Sequence, residues 1–306
     1  MKVFLTGAAG FVGAAVLRRL LASGHDVAAP IRPGSAAARL AWLEGRYQRL
    51  DLDLRDGEGL SAAIGRYRAD CVIHAAWWGV ANSARFERRQ IAENIDTACV
   101  LVEAAGAAGA SSFIGIGSQG EYGPVAEMRE DVLPAPTTLY GASKLATQFL
   151  TRQLAAQAGM RHAWGRIFST YGPGDNDGWL IPTLIRAMLS GERPRVTLGT
   201  QHWDWLYVDD IAQAIVALAQ TPAAEGVYNI GSGQPVTVRS VIETIRDLAA
   251  PGMELVFGEI PFRPDQVMYM KADISRLVAA TGWCPQVPMQ EGLARTVAWF
   301  RGQSGA

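Results

Sequence analysis

Tyr140 and Lys144 stand four residues apart in YGASK, a spacing that sets both side chains on one face of a helix. A phenol with a pKa of about 10 is a poor acid–base group at neutral pH, and a neighbouring ammonium stabilises its phenolate. Such a pair can exchange a proton with a substrate oxygen while hydride moves to or from the adjoining carbon. Ser118, in IGSQGEYG, lies just past the apolar run SSFIGI and offers a hydroxyl to the same oxygen. If that run is a parallel strand, Ser118 ends it at the carboxyl edge, where α/β sheets hold their ligands.

Hydride transfer calls for a dinucleotide, and the start of the chain has a place for one. TGAAGFVG sets Gly7, Gly10 and Gly13 between a short apolar run and an Ala/Leu/Arg-rich stretch. Gly7 permits a tight turn, Gly10 lets the backbone approach a pyrophosphate, and Gly13 lets helix and strand pack closely. The helix then points its free N–H groups at the phosphates. An acid at the end of the second strand would bind the adenine ribose. PIRPG places Ile31 and Arg32 there instead. Ile31 cannot make that bond, and Arg32 suits a 2′-phosphate, so the pattern points to NADP(H). NAD(H) is the alternative, with Arg32 a solvated loop charge. Asp53 in LDLDLRD is either a ligand for the adenine amino group or a surface acid. Ala75 and Ala76 in HAAWW are small enough for a cofactor to pass closely, and Lys144 can also bond a nicotinamide ribose.

These residues need a frame. Residues 2–7, 26–31, 70–76, 111–118, 162–168 and 226–233 read as strands. The stretch to about residue 23 and residues 93–109, 140–157, 207–220, 237–250 and 289–302 read as helices. Apolar strands alternating with helices predict a doubly wound, Rossmann-type parallel sheet covered on both faces. After Arg166 the texture changes to Gly-, Pro- and Trp-rich loops, 169–178 and 191–205. The expected organisation is a dinucleotide-binding domain, 1–168 plus about 206–235, and a smaller, discontinuous α/β substrate lobe, 169–205 and 236–306.

A chain of 306 residues with 49% apolar content suits such a fold. With 28 Lys+Arg against 29 Asp+Glu, nothing favours nucleic acid or an anionic membrane as a partner. No apolar run reaches the roughly 18 residues of a membrane span. Cys71, Cys99 and Cys284 are odd in number and widely spaced, which predicts buried free thiols and a reducing, cytoplasmic setting. The histidines, at 25, 74, 162 and 202, lack metal-ligand spacing, so no metal is expected.

Taken together, TGAAGFVG, HAA, ENIDTA, GSQGEYG, YGASK, RIFSTYGPG, WDWLYVDDIA, VYNIGSG and GWCPQVPMQEGLARTVAWF resemble the extended short-chain dehydrogenases/reductases of the nucleotide-sugar epimerase, dehydratase and 4-ketoreductase group. The resemblance runs from residue 3 to about 300. It implies that Ser118, Tyr140 and Lys144 form the catalytic triad. It implies that Phe11, Val12, Leu54, Asn94 and Ile167 join the cofactor site. Around a nucleotide-diphosphate sugar it implies Trp77, Gln119, Gly120, Arg166, Ser169, Leu180 and Ile181, while Trp203 either stacks on the nucleotide base or packs in the core. Arg263, in FRPDQ, would reach the diphosphate, an arginine fork matching two oxygens; a structural role is its alternative, as packing is for Tyr171. The Ala-rich helices at 93–109 and 141–157 imply a homodimer, or else only cover the sheet. Two positions along the chain depart from the group's pattern. Ser169 stands where Asn is frequent, and Trp203-Asp204-Trp205 stands where an Arg helps hold the nucleotide.

Dehydratases of this group resemble Thr-Asp-Glu after the strand, an acid and a base. Here Gln119 does not titrate and Gly120 has no side chain, so water elimination lacks its proton carriers. Glu121 is expected to point to the other face if the strand continues. The thiol of the enzymes that epimerise and then reduce is absent at Gly120. That leaves a 4-keto-sugar-nucleotide reductase using NADPH ahead of an NAD-dependent 4-epimerase. A dehydratase or a non-catalytic NADP(H)-binding protein comes further behind.

Overall fold

A computed structural model describes residues 1–35, 37–125, 127–264 and 266–304. The substrate lobe expected to run to 306 therefore ends outside the described residues.

Seven parallel strands form the central sheet: β1 (Lys2–Thr6), β2 (Asp26–Ile31), β3 (Gln48–Asp51), β4 (Cys71–His74), β5 (Ser112–Ser118), β6 (Arg161–Ile167) and β10 (Gly226–Ile230). Their order is β10-β6-β5-β4-β1-β2-β3. The chain therefore winds outward in both directions from β1, and the crevice between β1 and β4 is the switch point at which such sheets bind ligands. The strand pleat sorts the core. Val3 and Leu5 pack on one face with α1 (Phe11–Ala22) and α6 (Val208–Gln220). Phe4, between them, packs on the other with α2 (Gly57–Tyr67) and α3 (Arg89–Ala107). With both faces covered, the central strands are largely buried; β5 is buried from Ser112 to Gly117. Against α3 lies α4 (Leu139–Gln157).

The expected central strands and helices are present with ends moved by a few residues, whereas β3 and α2 have no counterpart in the sequence reading. The reason is physical. β3 is a short, largely exposed edge strand, QRLD, without an apolar run. α2 carries three glycines, poor helix formers, and is started by Asp56, whose carboxylate accepts from Gly59 N at 2.9 Å.

Beyond β6 the chain adds β7 (Ser169–Tyr171), α5 (Leu180–Leu189), β8 (His202–Trp203), β9 (Trp205–Tyr207), β11 (Val236–Thr237), α7 (Val238–Ala249), α8 (Ser275–Thr281) and α9 (Met289–Ser304). A separate apolar cluster joins Tyr171, Ile185, Tyr207, Ile242 and Phe300. Leu277 and Trp283 instead pack into the sheet's own core, although they fall in the span expected for the second lobe. The three cysteines are free, but only Cys71 is buried; Cys99 is half-buried and Cys284 exposed. No helix among the described residues is long and apolar enough to cross a membrane.

Candidate active site

A cleft of about 1630 Å³ runs over the carboxyl ends of β1, β2, β4, β5 and β6 to α5, Ile260, Arg263 and Val267. At one end sits the glycine loop. Gly7 has φ +75°, and a Cβ there would lie 2.4 Å from Ala76 N; one on Gly13 would lie 2.0 Å from Gly7 O. These two glycines let strand, loop and helix touch. Gly10 differs: its Cβ would meet only Gly7 O, at 3.2 Å, so its other flank is open. Gly10 caps α1 without a side-chain bond, and the first turn of α1 holds no acid. Phe11, Val12 and Gly13 line the cleft there, and an uncapped helix start with an open glycine fits an anionic pyrophosphate.

Arg32, Asp53, Leu54, Ala75, Ala76, Asn94 and Ile167 also line the cleft. Asp53 is engaged by Arg55, which donates from Nε at 3.0 Å, from a terminal nitrogen at 2.6 Å and from its backbone N at 3.0 Å. These bonds hold the Asp53 carboxyl down to about 2. Asn94 is buried, and its amide ties down a neighbouring segment. Its Oδ1 accepts from Trp78 N at 2.7 Å and its Nδ2 donates to Trp78 O at 3.2 Å and Gln90 O at 2.9 Å.

At the cleft's centre, Thr138 caps α4 by accepting from Gly141 N at 3.0 Å. The helix begins at Leu139, so Tyr140 falls in its first turn and Lys144 one turn on. Both are buried. Lys144 Nζ donates to Ile116 O at 2.6 Å and lies 3.7 Å from the ring centroid of Trp77. Burial pushes its ammonium down to about 7, against an opposing pull from Glu121. Burial raises the Tyr140 phenol, while a hydrogen bond shared with Ser118 and the charge of Arg85 work the other way. Ser118 Oγ accepts from Gly120 N at 3.1 Å, which leaves its proton to donate. Beside them, His74 Nδ1 pairs with Thr6 Oγ1 at 2.8 Å, and burial takes its imidazole down to about 3.

β5 stops at Ser118, and residues Gln119–Glu121 form a 3₁₀ turn. Glu121 does face away from the cleft, but through this turn rather than through continued strand alternation. Fully buried, it accepts from Ser118 N at 2.8 Å, Trp164 Nε1 at 3.0 Å and Arg166 Nε at 2.6 Å. This corrects the expectation for Arg166: it is buried in an ion pair behind Ser118 and does not line the cleft. Gly120 does not line it either; its Cβ direction points at Ser118 Oγ and the Tyr140 ring. Gln119 does line it.

Trp77, Ser169, Leu180, Ile181, Trp203 and Arg263 complete the expected lining. Trp77 donates to Gln90 Oε1 at 2.9 Å, and Trp203 to Val267 O at 2.8 Å with its ring against Trp205. Tyr171 packs away from the cleft, its ring edge-on to Tyr207 at 5.6 Å. Sequence reasoning missed Arg55, Arg85 and Asp175 as cleft residues. Burial raises the Asp175 carboxyl to about 7. Arg85 lies in NSARFERR, which reads as an ordinary polar loop and carries no local signal.

The NAD dependent epimerase/dehydratase family model matches residues 3–231. A GDP-6-deoxy-D-mannose reductase from Pseudomonas aeruginosa is 30% identical over 305 residues, covering 95% of this chain and 94% of that protein. The structure of a UDP-glucose 4-epimerase from Thermotoga maritima with UDP-glucose superposes at a TM-score of 0.90, with 26% identity over 99% of this chain and 100% of that one. A UDP-glucuronic acid 4-epimerase from Bacillus cereus, in complex with UDP-glucuronic acid and NAD, gives 0.88 and 26% over the same shares.

Proposed function

Because this chain belongs to the NAD dependent epimerase/dehydratase family, we propose that it reduces the C4 keto group of a nucleotide-linked 6-deoxy sugar with NADPH. The observation that carries this reading is the surroundings of Ser118. Of the three residues that follow Ser118, Gln119 alone lines the cleft, Gly120 offers no side chain, and Glu121 is locked behind the strand by Arg166 and Trp164. The acid–base pair that water elimination needs is missing from the turn. Similarity to a reductase of a 6-deoxy nucleotide sugar and the arginine at the end of β2 support the same direction.

In this reading the glycine loop and the start of α1 hold the pyrophosphate, Arg32 meets the 2′-phosphate, and Lys144 bonds the nicotinamide ribose. The bound nicotinamide supplies hydride to C4. Ser118 donates a hydrogen bond to the C4 oxygen and so orients the carbonyl. Tyr140 delivers the proton to that oxygen and is left as phenolate, which nearby positive charge stabilises. Arg263 grips the diphosphate.

A 4-epimerase with NAD is the second reading. The similar solved structures favour it, one of them holding NAD, and it uses the same three side chains. Incubation with NADPH and a panel of 4-keto-6-deoxy nucleotide sugars separates the two. Stoichiometric NADPH consumption is expected. Interconversion of UDP- or GDP-hexoses without cofactor consumption would transfer the assignment to the epimerase.

We further propose a homodimer formed through α3 and α4. On α4, Phe149 and Leu150 are 46% and 45% exposed, a patch that a second copy would cover. Sedimentation of the protein before and after Leu150→Glu would show a dimer turning into a monomer; a monomer from the outset would end the proposal.

A further inference from the structure

Arg85 stands on the segment just ahead of α3, and its carbonyl accepts from Tyr140 N at 2.9 Å, which pins the segment to the first turn of α4. Its guanidinium carbon lies 5.3 Å from the Tyr140 ring centroid and 5.7 Å from that of Trp179, the residue capping α5. The cation is thus held between rings from two sides of the cleft. Its Nε is buried with no hydrogen-bond partner among the described residues. The charges acting on it are the Tyr140 hydroxyl and Arg263, and no described carboxylate pairs with it. Arg85 is half-buried on the cleft wall, and a guanidinium whose Nε is sealed from solvent with no described counter-ion carries a desolvation cost, so its position calls for a reason beyond packing.

We propose that Arg85 is a positioning residue for the proton transfer: it stabilises the phenolate that Tyr140 becomes when it gives up its proton. This rests on the reading of Tyr140 as the acid–base group. Lys144, the cation on the same helix face, already serves Ile116 O and the face of Trp77, and its charge titrates near neutrality. A guanidinium keeps its charge throughout the working pH range. The other groups around Tyr140 do not replace it. Ser118 contributes a neutral hydroxyl, and Glu121, from the 3₁₀ turn, disfavours the phenolate. Beside Lys144, His74 is neutral, and beyond Arg85 stands Arg263. Arg85 is therefore the permanent positive charge in contact with the ring.

Difluorotyrosine in place of all eight tyrosines brings phenol ionisation into an accessible range, and fluorine NMR follows it without substrate. The Tyr140 signal is identified by its loss in Tyr140→Phe. In Arg85→Met this signal should titrate at least about one pH unit higher, the size expected for loss of an opposite charge within about 4–6 Å. Arg85→Lys should restore most of the shift. The remaining tyrosine signals report that the fold is retained, and Arg85→Gln serves if the Met variant does not fold. An unchanged Tyr140 titration in the Met or Gln variant would overturn the proposal, and a raised KM alongside it would make Arg85 a substrate ligand. Since the titration needs no turnover, a failed substrate panel leaves this result readable.

Discussion

The two ends of the cleft are built from different materials. The glycine-loop end is mostly backbone: Gly7, Gly10 and Gly13 fix a strand–turn–helix whose free N–H groups face outward. The opposite end is made of side chains from distant segments, with Arg85, Trp179, Trp203 and Arg263 converging from four parts of the chain. A backbone-built site tolerates change at its surface but not inside its contacts. A side-chain-built site can exchange one substrate for another without disturbing the fold. Tyr140, Ser118 and Lys144 lie between the two, anchored to the sheet by Glu121 and Ile116.

The largest expected effect is at that junction. Tyr140→Phe should lower kcat by about 10²–10⁴-fold with the fold and cofactor binding retained, as measured by steady-state kinetics and circular dichroism. Near-normal turnover would mean that the junction is not where the proton moves.

Next comes the interior of the backbone-built end. Gly13→Ala places a methyl group 2.0 Å from Gly7 O, and should cost about 3 kcal/mol in urea unfolding together with most cofactor affinity. If stability and affinity stay unchanged, the helix does not need that contact. Arg32→Ala, on the surface of the same end, should weaken NADPH by about 10–100-fold while sparing NADH, since one charge-assisted contact is lost. Equal weakening of both by titration calorimetry would remove Arg32 from the 2′-phosphate.

The last effect is spread over pH, with a small change per unit. The folded-state pKa of His74, about 3, lies below its usual 6.5. The unfolded chain therefore binds the extra proton between those values. Stability from this group is present above pH 6.5 and is lost as pH falls toward 3, by at most about 1.4 kcal/mol per pH unit. Asp175 has the opposite sign: its folded pKa, about 7, exceeds the usual 3.8, so its contribution is lost as pH rises between them. His74→Asn should flatten the acid side of the stability curve and Asp175→Asn the neutral side, read by thermal unfolding across pH. If neither slope moves, other groups set the profile.

The same contrast explains what the sequence made legible. The parallel sheet, the glycine loop and the YGASK helix are local patterns with strict spacing, and they stand where they were expected. β3 and α2 were not legible because an exposed edge strand and a glycine-bearing helix lack apolar periodicity. Within the site, Arg166 was misplaced because Glu121 turns back under Ser118 and captures it, a pairing across 45 residues that no spacing rule contains. Asn94 lines the cleft, yet its amide is taken by the Trp78 backbone. Arg85 was missed because its significance comes wholly from the rings that hold it.

The most direct measurement uses NADPH carrying deuterium at the nicotinamide C4 together with a 4-keto-6-deoxy nucleotide sugar. A 4-ketoreductase gives a product one deuterium heavier, bound at the sugar C4, with one NADP⁺ formed per turnover. If the keto sugar gains no deuterium and no NADPH is consumed, while UDP- or GDP-hexoses supplied to the same protein interconvert, the reductase is contradicted and an epimerase identified.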